Sequence, residues 1–103
     1  MSTQEEIQAD IEASPVILFM KGSKLMPLCG FSGKVVEILK AYGVPFETRD
    51  VLQDEALRSG IKEFSNWPTL PQLYIQGKFI GGCDVVTQLH EEGKLAKLLK
   101  DFL

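Results

Sequence analysis

The sequence predicts an α/β domain with a central mixed four-stranded sheet flanked by helices, and three observations predict it. The apolar run Pro15 to Met20 (PVILFM) lacks polar alternation, as suits a strand buried on both faces. Strand-like and helix-like segments alternate through the first half, which implies parallel strands joined by helical crossovers. Two short strand-like segments around Gln76-Gly77-Lys78 then add an antiparallel hairpin. Read along the chain, the order is α-β-α-β-α-β-β-α-α.

Each element has a local reason. Ile7 and Ile11 stand at i,i+4 in a polar segment, predicting a short amphipathic helix that stops before Pro15. After the Pro15–Met20 strand, Lys21 to Leu28 reads as a loop through Gly22, Ser23 and Pro27. Phe31, Val35, Ile38, Leu39 and Tyr42 follow helical spacing, and Gly43 supplies the stop. Pro45 to Val51 predicts a second strand, with Phe46 and Thr48 alternating with charge. Asp54 to Phe64 predicts a helix whose acidic residues come first and basic ones later, as the macrodipole favours. Pro68 to Pro71 interrupts the chain before the strand Gln72–Ile75, and Phe79-Ile80 begins the return strand. Gly81-Gly82 ends it. Val85, Val86 and Leu89, then Leu95, Leu98, Leu99 and Phe102, predict two closing helices broken near Gly93.

Length and composition bound the function. A chain of 103 residues, 45% hydrophobic and 24% charged, reads as one compact domain over 1–103 with no repeat, linker or low-complexity tract. A net charge of −3 argues against non-specific nucleic-acid binding. The run Val16 to Met20 is far too short to span a membrane. Met1 to Ser14 holds four acidic residues and no basic one, unlike a signal or transit peptide. Two cysteines, Cys29 and Cys83, are too few for a disulfide-stapled secreted scaffold, so a reducing compartment is expected, cytoplasmic or an organelle interior.

The chemistry centres on Cys29-Gly30-Phe31-Ser32, between a loop and a helical pattern. A cysteine at a helix start faces unpaired N–H groups and the positive end of the helix dipole, which favour the thiolate. That form attacks disulfides and ligates metals. In a C-x-x-C motif the second cysteine would close a disulfide, whereas Ser32 cannot. The arrangement favours holding something on sulfur over fast dithiol turnover.

Four stretches then appear in order: Lys21-Gly22, Cys29-Gly30-Phe31-Ser32, Asn66-Trp67-Pro68-Thr69-Leu70-Pro71-Gln72, and Gly81-Gly82-Cys83-Asp84, with Arg58 and Lys62 on the intervening helix. From about Pro15 onward this pattern resembles the thioredoxin fold and, within it, the single-domain monothiol glutaredoxins of the CGFS class. The segment Lys21 to Leu28 matches the longer pre-cysteine loop of that class. Lys24 departs from it, since many members carry proline there, and this predicts a less rigid loop. The resemblance implies noncovalent glutathione binding beside Cys29. It also implies a [2Fe–2S] cluster shared by two protomers, each giving its cysteine and one glutathione thiolate. Cluster transfer to iron–sulfur apoproteins, with BolA-like proteins as partners, and weak glutaredoxin turnover are the activities it implies.

Plainer roles compete at several positions. Cys29 as an inert buried thiol fits poorly between a loop and a helix start. A [2Fe–2S] cluster takes four ligands, so a single motif cysteine calls for external thiols and dimerisation. The resemblance places Cys83 at the glutathione site or as a partner for oxidised Cys29. Lys21 could simply reach solvent; the resemblance places it near the active cysteine and the glycyl carboxylate of glutathione. Asp54, Arg58 and Lys62 stand at successive i,i+4 positions and could simply pair on an exposed face, or Arg58 and Lys62 could hold that carboxylate, Arg58 in bidentate fashion. Thr69-Leu70-Pro71 could be a plain turn, but Pro71 matches the family's cis-proline, with the Leu70 backbone pairing to the cysteinyl part of glutathione. Asp84 suits both helix capping and the γ-glutamyl ammonium, and the N–H groups of Cys83 and Asp84 suit its carboxylate. Trp67 reads as packing and His90 as a helix-surface residue.

The leading expectation is therefore a glutathione-dependent [2Fe–2S] carrier acting as a cluster-bridged homodimer. Cys29 would ligate iron, and Lys21, Arg58, Thr69, Leu70, Cys83 and Asp84 would hold glutathione. A monothiol oxidoreductase acting on glutathione mixed disulfides is the first alternative. A redox or iron sensor using a Cys29–Cys83 disulfide is the second.

Overall fold

The computed structural model describes residues 2–103. Helix α1 (Thr3–Ala13) opens with a capping box: Ser2 Oγ accepts from the Glu5 N–H, and the Glu5 carboxylate accepts from the Ser2 N–H. Strand β1 (Val16–Met20) follows, then α2 (Gly30–Tyr42), β2 (Glu47–Asp50), a 3₁₀ turn at Val51–Gln53 and α3 (Glu55–Ser65). The hairpin β3 (Gln72–Ile75) and β4 (Lys78–Gly81) leads into α4 (Cys83–Glu91), α5 (Lys94–Leu99) and a last 3₁₀ turn. The predicted order is met element for element. Strand β2 is shorter than the Pro45–Val51 expectation, because Val51 already enters the 3₁₀ turn that Asp50 caps through the Leu52 N–H.

The sheet runs β2-β1-β3-β4, with β1 and β2 parallel and both later pairings antiparallel. All five β1 residues are buried, and they divide by parity. Val16, Leu18 and Met20 join a cluster with Val35, Leu39, Val86, Leu95 and Leu99, supplied by α2, α4 and α5. Ile17 and Phe19 join Ile7, Ile11, Ile61 and Tyr74, which involves α1 and α3. Two apolar layers on one strand explain why the sequence shows no alternation there.

Backbone signals land where the residues demand them. Gly43, at φ 73°, ends α2, and Asn66, at φ 55°, ends α3. Gln76 and Gly77 both take positive φ, the twist a two-residue hairpin requires. On α3, Gly60 lies under α1: a Cβ there would fall 2.6 Å from Thr3 Cγ2. Arg49 on β2 binds the Asp10 carboxylate of α1 through Nε and an η nitrogen, each at 3.2 Å.

Candidate functional site

One end of the sheet gathers the chemistry. Strand β1 stops at Met20, and the chain turns through Lys21–Leu28 before Cys29 begins α2 as its N-cap residue. Gly22, at φ 90°, allows that turn, since a Cβ there would meet the Met26 carbonyl oxygen at 2.5 Å. The loop is tied at three points. The Gly22 N–H donates to Asp50 Oδ1 at 2.9 Å, and the Leu28 N–H donates to the Lys21 carbonyl at 3.0 Å. Lys24 extends its ammonium to the Phe46 carbonyl and over the Phe46 ring, 4.6 Å from the centroid. Lys40 in turn donates to the Lys24 carbonyl at 3.1 Å. The lysine that stands where proline is common thus anchors the loop by its side chain, and the less rigid loop expected from that departure gains a fastening the sequence did not reveal.

Cys29 is half-buried and its thiol is free. The sulfur closes no hydrogen bond of regular N-cap geometry, yet the N–H groups beyond it govern its charge. The Ser32 backbone N–H is the largest influence holding the Cys29 thiol below the ordinary thiol range. Partial burial opposes it. The Phe31 N–H, the Lys21 ammonium and the Ser32 hydroxyl add smaller pulls in the same downward direction. The helix start thus dominates, and the nearby lysine contributes less.

A cleft of about 450 Å³ opens beside this sulfur. It brings together six of the seven residues singled out from the sequence: Cys29, Lys21, Thr69, Leu70, Cys83 and Asp84. Arg58 is half-buried on α3 and is not among the lining residues, whereas Lys62, one turn further on, is. Neither makes an ion pair among the described residues, and Asp54, one turn before Arg58, instead caps α3 through the Leu57 N–H. The Leu70–Pro71 peptide is cis, as the resemblance implied.

Asp84 differs from one expectation. The residue capping α4 is Gly82, with no side-chain cap, and Asp84 sits in the first turn with its carboxylate exposed. A Cβ on Gly82 would lie 3.2 Å from the Pro71 carbonyl oxygen, a tight approach that a glycine avoids. Asp84 is among the residues that line the cleft. Cys83 is half-buried, with Sγ 4.0 Å from Thr87 Oγ1.

The sequence reading gave no site role to five of the lining residues: Pro68, Gly82, Phe31, Val85 and Trp67. Phe31 is 63% exposed at the mouth, and Val85 lines the α4 side. Trp67, read as packing, does lie against Phe79 at 5.9 Å between centroids, but it also forms cleft wall. Helical phase placed Phe31 on the α2 core face; its position in the first turn leaves it outside the sheet's cover. His90 stays on the helix surface, where its Nδ1 meets the Tyr42 hydroxyl at 2.7 Å.

The glutaredoxin family pattern matches residues 16–80, which carry the cysteine, its loop and the Trp67–Gln72 wall. The chain belongs to the monothiol glutaredoxins. An uncharacterised monothiol glutaredoxin of Synechocystis is 52% identical over 98 residues, covering 95% of this chain and 92% of that protein. In structure, this glutaredoxin is similar to a monomeric truncated mutant of Trypanosoma brucei 1-C-Grx1, with a TM-score of 0.87 and 40% identity over 98% of this chain and 91% of that one. It is also similar to buckwheat glutaredoxin solved in complex with glutathione, with a TM-score of 0.86 and 26% identity over 96% and 88% of the two chains. Four strands, flanking helices and a cis Leu70–Pro71 peptide, whose Leu70 lines the same cleft as Cys29, give this glutaredoxin the thioredoxin-like architecture. None of its described helices is long and apolar enough to cross a membrane.

Proposed function

We propose that this glutaredoxin binds glutathione in the cleft and carries a [2Fe–2S] cluster as cargo, bridged between two copies of the chain. The carrying observation is one sulfur at a helix start, its pKa lowered chiefly by the Ser32 backbone N–H, in a cleft lined by two lysines, Lys21 and Lys62, and by the first residues of α4. Glutathione has two carboxylates, one ammonium and one thiol. Lys21 and Lys62 suit the glycyl carboxylate, with Arg58 one turn back on α3 completing the cationic side. The α4 N-terminus at Cys83 and Asp84 suits the other carboxylate, and the Asp84 side chain suits the ammonium. Thr69 and Leu70 supply the wall along which the tripeptide lies. That buckwheat glutaredoxin was solved in complex with glutathione supports glutathione as the ligand.

The donor set fits a shared cluster. A [2Fe–2S] centre needs four ligands, and Cys29 offers one. Among the described residues no group of three or more His, Cys, Asp or Glu side chains converges on one point, so a cluster held here draws on donors from outside one chain. Two Cys29 thiolates and two glutathione thiolates complete the count. Apoproteins and BolA-like proteins are the acceptors and partners this reading implies, in a reducing compartment such as the cytoplasm.

Anaerobic reconstitution with iron, sulfide and glutathione tests it. A [2Fe–2S] absorbance and circular dichroism spectrum is expected only with glutathione, on a dimer, and is lost in Cys29→Ser. A colourless monomer under conditions that load a related control overturns it. The lowered Cys29 pKa also favours a second reading, a thiol–disulfide oxidoreductase. Its thiolate would attack the glutathionyl sulfur of a mixed disulfide and release the protein thiolate. A second glutathione thiolate would then attack that sulfur, leaving as glutathione disulfide and restoring Cys29. Because both sulfurs line one cleft, a third reading is a switch. Exchange with glutathione disulfide would form Cys29–Cys83 and release two glutathione molecules, and an intact mass unchanged by that treatment removes it.

A further inference from the structure

Gln72 is wholly buried, one of three buried polar residues among those described. Burying an unpaired amide is costly, so every polar atom of such a side chain needs a partner. Gln72 has them. Its amide nitrogen donates to the Trp67 carbonyl at 3.1 Å and to the Thr69 carbonyl at 3.2 Å. Its amide oxygen accepts from the Tyr74 hydroxyl at 3.2 Å. Carbonyls only accept, so the two backbone partners determine which end of the amide is the NH₂.

The gripped segment is the cleft wall. Trp67, Thr69 and Leu70 line the cleft, and the Trp67 peptide is held from its other side as well. Its N–H donates to Ser65 Oγ at 3.1 Å, while the Ser65 hydroxyl donates to the Ile61 carbonyl at 3.0 Å. The α3 C-terminus holds the start of this segment, the Asn66 N–H donating to the Glu63 carbonyl at 3.3 Å and the Trp67 N–H also reaching the Lys62 carbonyl at 3.2 Å. Beyond it no sheet or helix ladder holds 68–70, and the Gln72 side chain from β3 reaches the Trp67 and Thr69 carbonyls.

We propose that Gln72 is a positioning residue for glutathione: by holding the Trp67 and Thr69 carbonyls it sets the Trp67–Leu70 wall, and Tyr74 holds Gln72 in that pose. This rests on the glutathione reading above. It makes the buried Gln72–Tyr74 pair, which touches no ligand, a determinant of affinity and not of Cys29 reactivity.

The test uses Gln72→Met, which keeps length and removes both donors, with Tyr74→Phe as a milder second variant. S-methylglutathione, which cannot form a disulfide, serves as the binding probe in calorimetry. Gln72→Met is expected to weaken it about tenfold and Tyr74→Phe about threefold. Iodoacetamide alkylation of Cys29 and its pH profile should stay within about twofold of wild type. Acrylamide quenching of Trp67, the sole tryptophan, should rise in both variants. The double variant should be no worse than Gln72→Met, since the two side chains act as one unit. Wild-type affinity and quenching in the variants overturn the proposal, as does additivity, or an equal loss of affinity and alkylation. Should Gln72→Met fail to fold, Tyr74→Phe decides by the same readings. If the wild-type protein does not bind S-methylglutathione, the glutathione reading fails. The clamp is then judged by Trp67 quenching alone, which upholds it if raised and overturns it if unchanged.

Discussion

The Ser32 hydroxyl, wholly buried, accepts a hydrogen bond from the Lys21 N–H at 3.2 Å, joining the end of β1 to the first turn of α2 across the active-site loop. The residue that replaces a second motif cysteine is therefore a structural tie as well as a redox blank. In Ser32→Ala the Lys21 N–H loses its partner, at a cost of about 1–3 kcal/mol for a buried orphan donor. Denaturant unfolding measures this. The Cys29 pKa should rise yet stay below the ordinary thiol range, because the Ser32 backbone N–H, the largest influence, survives the change.

The Cys29 thiol also shapes the pH dependence of stability. Its folded pKa is lowered, so between that value and the unfolded value of about 8.5 the native state binds fewer protons than the unfolded state. Stability therefore rises with pH through this window, and the contribution is lost as pH falls through the folded pKa. Cys29→Ser should remove that slope in urea titrations run at successive pH values. An unchanged slope would place its origin elsewhere.

Tyr74 acts with the opposite sign. Burial pushes its hydroxyl up to about 12. Between the ordinary tyrosine value of about 10 and that figure, the native state keeps a proton that the unfolded state has lost. Its contribution is full below about 10 and disappears as pH rises through the folded value. Thermal melts of Tyr74→Phe should show a shallower alkaline decline than wild type, from a lower stability at neutral pH.

Lys24 gives a loop-specific prediction. Its ammonium meets both the Phe46 carbonyl and the Phe46 ring. Lys24→Met should cost about 1–2 kcal/mol, from one charge-assisted hydrogen bond and one cation–π contact at a partly exposed site. Amide exchange should quicken from Gly22 to Leu28 and remain unchanged in the β3–β4 hairpin. Lys24→Arg, which keeps the charge, should restore most of the protection.

Gly22→Ala tests the turn itself. A methyl group there would stand 2.5 Å from the Met26 carbonyl oxygen and 2.6 Å from the Leu28 nitrogen, on a backbone already at positive φ, so an alanine has no room. A loss of more than about 2 kcal/mol is expected, well above the approximately 1 kcal/mol of an unstrained glycine replacement. Urea unfolding of the variant measures it.

The order of elements was legible because apolar runs, helical spacing and glycine stops are local signals, as Val16–Met20 and Gly43 show. Phase at the cleft was less so. Arg58 and Lys62 share a helix face in sequence, and only the docking of α3 decides that Lys62 reaches the cleft. Asp84 looks like a cap, but α4 begins at Cys83 with Gly82 as its N-cap residue, which places Asp84 inside the first turn. Lys24 and Gln72 were unreadable for one reason: the groups they donate to are backbone carbonyls, which every residue possesses and no sequence advertises.

The parity of β1 has a practical consequence for trimming the gene. The family pattern begins at residue 16, which invites an expression boundary at Val16. Such a product would keep the whole matched segment yet strip away Ile7 and Ile11, opening to water the apolar cluster that holds Ile17 and Phe19 and leaving Arg49 without Asp10. A greasy face laid open beside the parallel edge strand is a recipe for inclusion bodies. Residues outside the signature thus decide whether the signature can be purified.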